Sequence, residues 1–319
     1  MFFFMVKKTK LNRKIITEIV KNYNLGEIDH FFLIKNGFMH SNYFIQANTG
    51  NFILRVYESR TDEQALLEAK VLEKLKNSLV PVPKIIKTKT GELFSGLGKK
   101  RVAIFSFLDG SHVADADVTI SQIKSVGVNM GRLHKLLQGY KPKEVFSKPN
   151  YDNNYVKETL EEIKKKHPTF PLKIEQRVLN VLNLIRIPSL PKGVNHGDMF
   201  DDNVLFKGNK VSGVLDFDDC YYGNFLDDLG CALTYWCINE KIDYKKIKAF
   251  INAYESEKKL SRKEREFLYE ETLLIALVHV VHLLMDKKNW NKSIRPLNVV
   301  NILMNTPKDE FMRSIFEDK

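Results

Sequence analysis

An α+β chain in two lobes is expected: a small lobe built on an antiparallel sheet over residues 1–108, then a larger, mainly helical lobe over 109–319. Three observations predict it. Up to residue 108, short apolar runs bounded by turn residues are broken by single helical stretches, the pattern of a hairpin-connected sheet. Beyond Asp109-Gly110 the chain is mostly helical, apart from one hairpin signal at Gly208-Asn209. A length of 319 residues is enough for two lobes with a cleft between them.

Each element has a local reason. Residues 15–23 read as a helix, closed by Asn24-Leu25-Gly26. The apolar run 31–34 leads through the turn pair Asn36-Gly37 into a strand over 42–46. A strand over 52–57 is followed by a helix over 63–76, whose apolar stripe is Ala65, Ala69, Leu72 and Leu75. Val80-Pro81-Val82-Pro83 enforces an extended segment, because each proline biases its predecessor away from helix. Strands over 84–87 and 101–107 complete the small lobe. In the larger lobe, the apolar strands 204–206 and 211–215 flank Gly208-Asn209, where both residues tolerate positive φ.

Composition narrows the class. Hydrophobic residues make up 44% and charged residues 28%, ordinary for a soluble globular chain. No apolar run approaches membrane-spanning length, so no membrane partner is expected. The run Phe2-Phe3-Phe4-Met5-Val6 is too short for a signal-peptide core, and its lysines follow it, the wrong order for secretion. Packing against the first helix, or a start at Met5, is the expectation there. Cys220, Cys231 and Cys237 are odd in number and lack C-x-x-C spacing, which points to a reducing compartment and a cytoplasmic protein. The net charge of +11 raises nucleic acid as a partner. However, the lysines interleave with glutamates, as in Glu161-Glu162-Ile163-Lys164-Lys165-Lys166, and mark solvated helix faces. Without zinc-finger spacing or an aromatic RNA-binding signature, nucleic acid is not expected.

The chemistry concentrates in Val194-Asn195-His196-Gly197-Asp198-Met199-Phe200-Asp201-Asp202-Asn203 and in Val214-Leu215-Asp216-Phe217-Asp218. Phosphoryl transfer needs a carboxylate at the acceptor hydroxyl and oxygen ligands for the metal that bridges the nucleotide phosphates. Asp198 and Asn203, five residues apart, and Asp216, beyond the hairpin, have the spacing for those roles. ATP and Mg2+ are the expected cosubstrate and cofactor.

Glu68 interrupts the apolar stripe of the helix 63–76 and needs a partner to offset its desolvation. Arg55, the only charge in its strand, is the candidate, and such a pair can fix a cation against the nucleotide phosphates. A purely structural pair is the competing reading. The segment with Gly37, Ser41 and Asn42 can cover phosphates, against the alternative of an ordinary hairpin turn. Ser106 and Leu108, where the strand leaves the small lobe, can offer main-chain groups to adenine, against the alternative of plain core. His196 reads as a brace for its loop, Asp228 as a cap for the helix that follows, and His134 as a helix residue near the lobe centre. His279 and His282 have no third ligand and read as satisfied core histidines. Ser41 and Ser106 lie in no G-x-S-x-G elbow, so a hydrolase triad is unsupported.

Together these residues resemble the aminoglycoside phosphotransferase and choline kinase superfamily, the small-molecule branch of the protein-kinase-like fold. The resemblance runs from about residue 15 to the last helices. It is carried by His196-Gly197-Asp198 with Asn203, by Leu215-Asp216-Phe217 and by Asp228-Leu229. Within that branch the chain looks most like the protein-kinase-fold homoserine kinases, through Ser41-Asn42-Tyr43-Phe44, Leu79-Val80-Pro81-Val82-Pro83, residues 198–204 and Tyr235-Trp236-Cys237. The resemblance implies Asp198 as catalytic base, Asn203 and Asp216 as magnesium ligands, and Arg55 with Glu68 as the nucleotide-aligning pair. It also puts Trp236 among the substrate-side residues. Arg55 stands where protein kinases carry lysine, and residues 218–224 depart from the homoserine kinases. Asp218, Asp219 and Asn224 in that segment are candidates for the substrate's amino group.

The resulting expectation is an ATP- and magnesium-dependent phosphotransferase for a small hydroxyl-bearing amine or amino acid, homoserine first. An aminoglycoside or choline-like alcohol is the alternative within the branch. A nucleotide-binding pseudokinase is the alternative of another class, disfavoured because Asp198, Asn203 and Asp216 are all present.

Overall fold

The computed structural model describes residues 7–35, 39–114, 117–147 and 151–317. Gly37, with its turn, and the N-terminal apolar run lie outside them. The small lobe begins with α1 (Arg13–Val20), capped by Asn12, whose side chain accepts from the Ile15 amide. It continues through β1 (Ile28–Leu33), β2 (His40–Ala47) and β3 (Gly50–Tyr57) to α2 (Asp62–Leu75), which opens on a capping box between Thr61 and Gln64. The strands β4 (Ile85–Ile86), β5 (Ser95–Leu97) and β6 (Lys100–Ser106) complete an antiparallel sheet in the order β1-β2-β3-β6-β4, with β5 also paired to β6.

Side-chain alternation gives this sheet two faces. Tyr43, Ile45, Leu54, Val56, Val102 and Ile104 form one, buried with Ile16, Ile19 and Val20 of α1. On the other face Arg55 is the cross-strand neighbour of Asn42 and Ala103, and Ala103 and Phe105 join the core around α2. That face turns a charged strand residue toward the second lobe.

The larger lobe contains α3 (Ile120–Leu137), α4 (Asn153–Lys166), α5 (Leu172–Leu184) and β7 (Lys192–Asn195). The hairpin β8 (Val204–Lys207) to β9 (Lys210–Val214) and the strand β10 (Tyr221–Asn224) follow, and β10 pairs back onto β7. Then come α6 (Phe225–Ala232), a π-helical turn Leu233–Cys237, α7 (Tyr244–Glu255), α8 (Arg262–Leu284), α9 (Ile294–Met304) and α10 (Lys308–Phe316). The helix α8 packs against α4, α5, α6, α9 and α10. It is long and apolar enough to cross a membrane, yet its apolar window is 72% buried inside the fold, as befits a helix apolar on all sides.

Most expected elements form, with edges moved by a few residues; the strand expected over 84–87 shortens to Ile85–Ile86. In the β8–β9 turn only Gly208 takes positive φ, at +58°; among the described residues Asp216 is the sole non-glycine to do so. The β7–β10 ladder was not anticipated. Its strands are four residues each and 25 residues apart (Asn195 to Tyr221 is 26 positions), so no turn signal links them.

The helices α3 and α7 meet through glycine. A Cβ on Gly127 would stand 2.5 Å from the Phe250 carbonyl oxygen, and one on Gly131 would stand 2.6 Å from that of Tyr254. Gly127→Ala is expected to cost about 1–3 kcal/mol, because backbone must give way rather than a side chain. Gly96→Ala, whose Cβ meets nothing within 4 Å, is expected to change stability by less than about 0.5 kcal/mol. Urea unfolding of both variants checks the pair.

Candidate active site

Two short ladders build the loop that carries the chemistry. β7 delivers the chain into His196-Gly197-Asp198, and β10 holds β7 through pairs from Tyr221↔Asn195 to Asn224↔Lys192. The β8–β9 hairpin folds residues 203 and 215 together, so that the Leu215 amide donates to the Asn203 carbonyl at 2.8 Å. Asn203 Nδ2 then donates to Asp198, at 3.0 Å to Oδ2 and 2.7 Å to the main-chain oxygen. Asp216, at φ +64°, turns its carboxylate toward the small lobe, where Oδ1 meets Arg55. Asp198, Asn203 and Asp216 are thus brought together. Among the described residues, Asn203 Oδ1 and Asp216 Oδ2 accept no hydrogen bond, leaving two hard oxygen donors that fit a magnesium-type cation.

A buried carboxylate braces this loop. Asp228 accepts from the His196 amide at 2.7 Å, the Gly197 amide at 2.8 Å and His134 Nε2 at 2.9 Å. It therefore ties β7's exit to α3 rather than capping its own helix, which corrects the expected capping role. His196 donates from Nε2 to the Leu215 carbonyl at 2.8 Å, and its Nδ1 accepts from the Asp198 amide. It is fully buried and serves as the expected brace. Gly197 takes φ +84°, where a Cβ would stand 2.6 Å from the Asp219 carbonyl oxygen. Trp236 lies in the core at 2% exposure and donates from Nε1 to the Met199 carbonyl, so it supports the loop from behind and does not reach a substrate.

The small lobe contributes Arg55. Its Nη1 donates to Glu68 at 2.8 Å, its Nη2 to Asp216 at 3.0 Å and its Nε to Asn42 Oδ1 at 3.1 Å. Tyr57 donates to the second Glu68 oxygen at 2.6 Å. Ser41 points to the opposite face of the sheet, where its hydroxyl donates to Glu58 at 2.5 Å and accepts from the Thr9 amide. Completely buried, it is not available to a phosphate. The Ser106 hydroxyl accepts from the Lys84 amide, and the Ser106 amide donates to the Lys84 carbonyl, which ties that residue to the sheet edge. By contrast, the amide and carbonyl of Leu108 make no hydrogen bond among the described residues. Phe44, missed as a separate contact in the sequence, stands on Arg55's face of the sheet and packs edge-on against Phe107 at 5.4 Å.

Adjacent aspartates have different fates. Asp218 is buried and held by His40 Nε2 at 2.8 Å and Arg60 at 2.8 and 3.0 Å. Burial raises its pKa, but Arg60 and His40 outweigh that and hold it well below the usual carboxylate range. It is a fastening between lobes, not a free partner for an amine. Asp219 also meets Arg60, at 2.7 Å, but lines a cavity beside Asp198. Asn224 does not line it; its carbonyl accepts from Asn195, behind the floor.

The cavity measures about 100 Å3, and Phe200, Tyr235, Ile275, Val278 and His279 form much of its wall. Burial, then the charges of Asp219, Asp216 and Asp218, push Asp198 well above the usual carboxylate range, while the Asn203 hydrogen bond opposes them. Burial and Asp218 raise Asp216 as well, although its side chain keeps 41% exposure to the cleft. Carboxylates so crowded favour an arriving cation. His282 is bonded by Tyr155, as expected, whereas His279 is only half satisfied, with Tyr235 on Nδ1 and no hydrogen bond to Nε2 among the described residues; no metal cluster of His, Cys, Asp or Glu occurs among them. The sequence did not reveal that both histidines line the cavity.

A family model, that of the phosphotransferase enzyme family, matches residues 32–264. A homoserine kinase of Nitrobacter winogradskyi is 27% identical over 278 residues, 83% of this chain and 81% of the relative. One from Bradyrhizobium diazoefficiens is 26% identical over 311 residues, 94% of this chain and 90% of the relative. Among solved structures, an amicoumacin kinase in complex with AMP-PNP and Ca2+ aligns with a TM-score of 0.66 at 15% identity, over 93% of this chain and 95% of that one. A microcompartment-associated aminopropanol kinase aligns with a TM-score of 0.64 at 15% identity, over 95% and 100%. These likenesses give the two-lobed kinase-like fold that the sequence led us to expect. With the family match spanning well over half its length, the chain belongs to the phosphotransferase enzyme family.

Proposed function

We propose that this chain is a homoserine kinase, moving the γ-phosphoryl group of ATP to the side-chain hydroxyl of L-homoserine with Mg2+. The observation that carries the acceptor class is the cavity beside Asp198. At about 100 Å3 it is well below the ~300–1,000 Å3 of clefts that take drug-sized ligands, which suits a small amino acid and not a ring-bearing antibiotic. Its carboxylates are also few. Asp228 is engaged by two amides and His134, and Asp227 by the Tyr221 hydroxyl; Asp219, bonded to Arg60, is the remaining lining carboxylate beside Asp198 and would meet one ammonium group. A polycationic acceptor needs several. The homoserine kinases named above lend the specific substrate.

In this reading residues 1–108 hold the nucleotide and residues 109–319 the acceptor. Leu108 offers its unpaired main-chain groups to adenine, with Phe44 on the slot's wall. Arg55, fixed by Glu68, presents its guanidinium to the phosphates. Asn203 and Asp216 would hold the Mg2+, which would supply charge neutralisation to the nucleotide phosphates. Asp198, oriented by Asn203, takes the proton from the acceptor hydroxyl as the new oxygen–phosphorus bond forms in line with the breaking bond to the departing ADP.

Replacing Asp198 or Asp216 by Asn removes a charge and keeps the shape, and Asn tolerates the positive φ of Asp216. Each variant is expected to lose about two or more orders of magnitude in kcat with an unchanged circular dichroism spectrum. Near-wild-type turnover in either would remove that residue from the site. For the small lobe, a double-mutant cycle of Arg55→Ala and Glu68→Gln on kcat/KM should give a coupling of about 1 kcal/mol or more. Strictly additive losses would make Arg55 and Glu68 independent. The substrate is tested by an ATP-consumption screen with mass spectrometry of products. L-homoserine should give the highest kcat/KM over choline, ethanolamine and kanamycin; phosphorylation of any of those without homoserine would overturn the assignment.

A further inference from the structure

A zwitterionic acceptor whose ammonium group meets Asp219 brings a carboxylate that also needs a partner in a cavity of this size. Apart from the Tyr151 hydroxyl, which makes no hydrogen bond among the described residues, the donors lining the cavity are largely engaged. The Tyr221 hydroxyl bonds Asp227 at 2.6 Å, the Gly197 amide bonds Asp228, and His282 Nε2 bonds Tyr155 at 2.7 Å. His279, on α8, is different. Its Nδ1 lies 2.7 Å from the Tyr235 hydroxyl, and Nε2 has no hydrogen-bond partner among the described residues.

The partner of Nδ1 decides where the imidazole proton sits. The Tyr235 hydroxyl has no other hydrogen-bond partner among the described residues. If Nδ1 carried the proton and donated it, the phenolic proton would be left without an acceptor, a costly arrangement in a largely buried ring. The pairing that satisfies both groups is Tyr235 O–H donating to Nδ1, which puts the ring proton on Nε2. Burial pulls the His279 pKa down to about 4, so the ring is neutral near pH 7 and offers that single N–H.

Two further features fix Tyr235 in this role. It sits in the π-helical turn Leu233–Cys237, a departure from α-helical register of the kind common at functional sites. Its ring is stacked on Phe200 at 4.9 Å and lies under the Arg295 guanidinium at 5.0 Å, while Arg295 Nη2 donates to the Tyr235 carbonyl. A fixed positive charge thus stands behind the tyrosine that orients the histidine.

We infer that His279 reads the acceptor's carboxylate: with Nδ1 occupied by Tyr235, its Nε2–H donates to a carboxylate oxygen in the cavity, and it selects hydroxy amino acids over amino alcohols. This rests on the reading of the acceptor as homoserine and adds the residue that recognises its acid end. His279 acts in binding and takes no part in the transfer.

The experiment compares L-homoserine with 3-aminopropan-1-ol, the same chain without the carboxylate, on the wild type and on His279→Leu, His279→Gln and Tyr235→Phe. His279→Leu should raise KM for L-homoserine at least tenfold with kcat within threefold. It should narrow the preference for L-homoserine over the amino alcohol by a similar factor. His279→Gln, which keeps an N–H donor, should recover most of the loss, and Tyr235→Phe should raise KM with an intermediate effect. Nitrogen-15 NMR of the wild-type histidines supplies a readout independent of turnover, with the proton of His279 expected on Nε2. An unchanged KM for L-homoserine in His279→Leu, equal losses on both acceptors, or a proton on Nδ1 would each overturn the inference while leaving homoserine as substrate. A wild-type enzyme that does not phosphorylate L-homoserine at all would instead overturn the underlying reading.

Discussion

The guanidinium of Arg55 is the junction on which the active arrangement depends. Only 9% exposed, it is a cation withdrawn from water, tolerable because Glu68, Asp216 and Asn42 all accept from it. Those partners come from a helix, from the strained end of a hairpin and from the neighbouring strand. One group therefore sets three elements relative to one another. Removing the cation would leave Glu68, at 2% exposure, with Tyr57 as its remaining donor; breaking such a buried pair typically costs about 3–5 kcal/mol. His40 and Arg60 repeat the device a few residues along, on Asp218. The segment from Asp216 to Asp219 is consequently fastened to the small lobe by three cationic or imidazole side chains.

The loop 196–198 is organised by an anion in the same way. Asp228 is 1% exposed and kept ionised below the usual carboxylate range: burial opposes this, and the His134 hydrogen bond and charge outweigh it. The two amides of His196 and Gly197 complete its shell, so the loop that presents Asp198 is shaped by main-chain donors converging on one carboxylate. Gly197 is required where that loop passes closest to the Asp219 carbonyl.

What the sequence disclosed followed from how local each signal was. Asp198, Asn203 and Asp216 could be grouped because five residues and one hairpin separate them. Arg55 and Glu68 stood out because each breaks an apolar pattern that a buried element should keep. The errors were non-local. Asp218 and Asp219 are neighbours of one type that share Arg60, and what separates them is burial and His40, 178 residues from Asp218. Ser41 was misjudged because strand alternation turns it to Glu58 and away from the face that Asn42 shares with Arg55. Trp236 sits within the π-helical turn Leu233–Cys237, invisible to a 3.6-residue period, and there it is buried in the core.

The helix α8 serves two masters. Ile275, Val278, His279, His282 and Leu283 line the cavity beside Asp198, while the same helix is the central packing element of the large lobe. With the acceptor in that cavity, as we propose, acceptor preference and fold stability are written into one stretch of chain. A descendant drifting toward a bulkier alcohol would have to carve room from the middle of its own core. Neutral drift in α8 is correspondingly narrow, and a change of acceptor would need a prior reserve of stability gained elsewhere in the molecule.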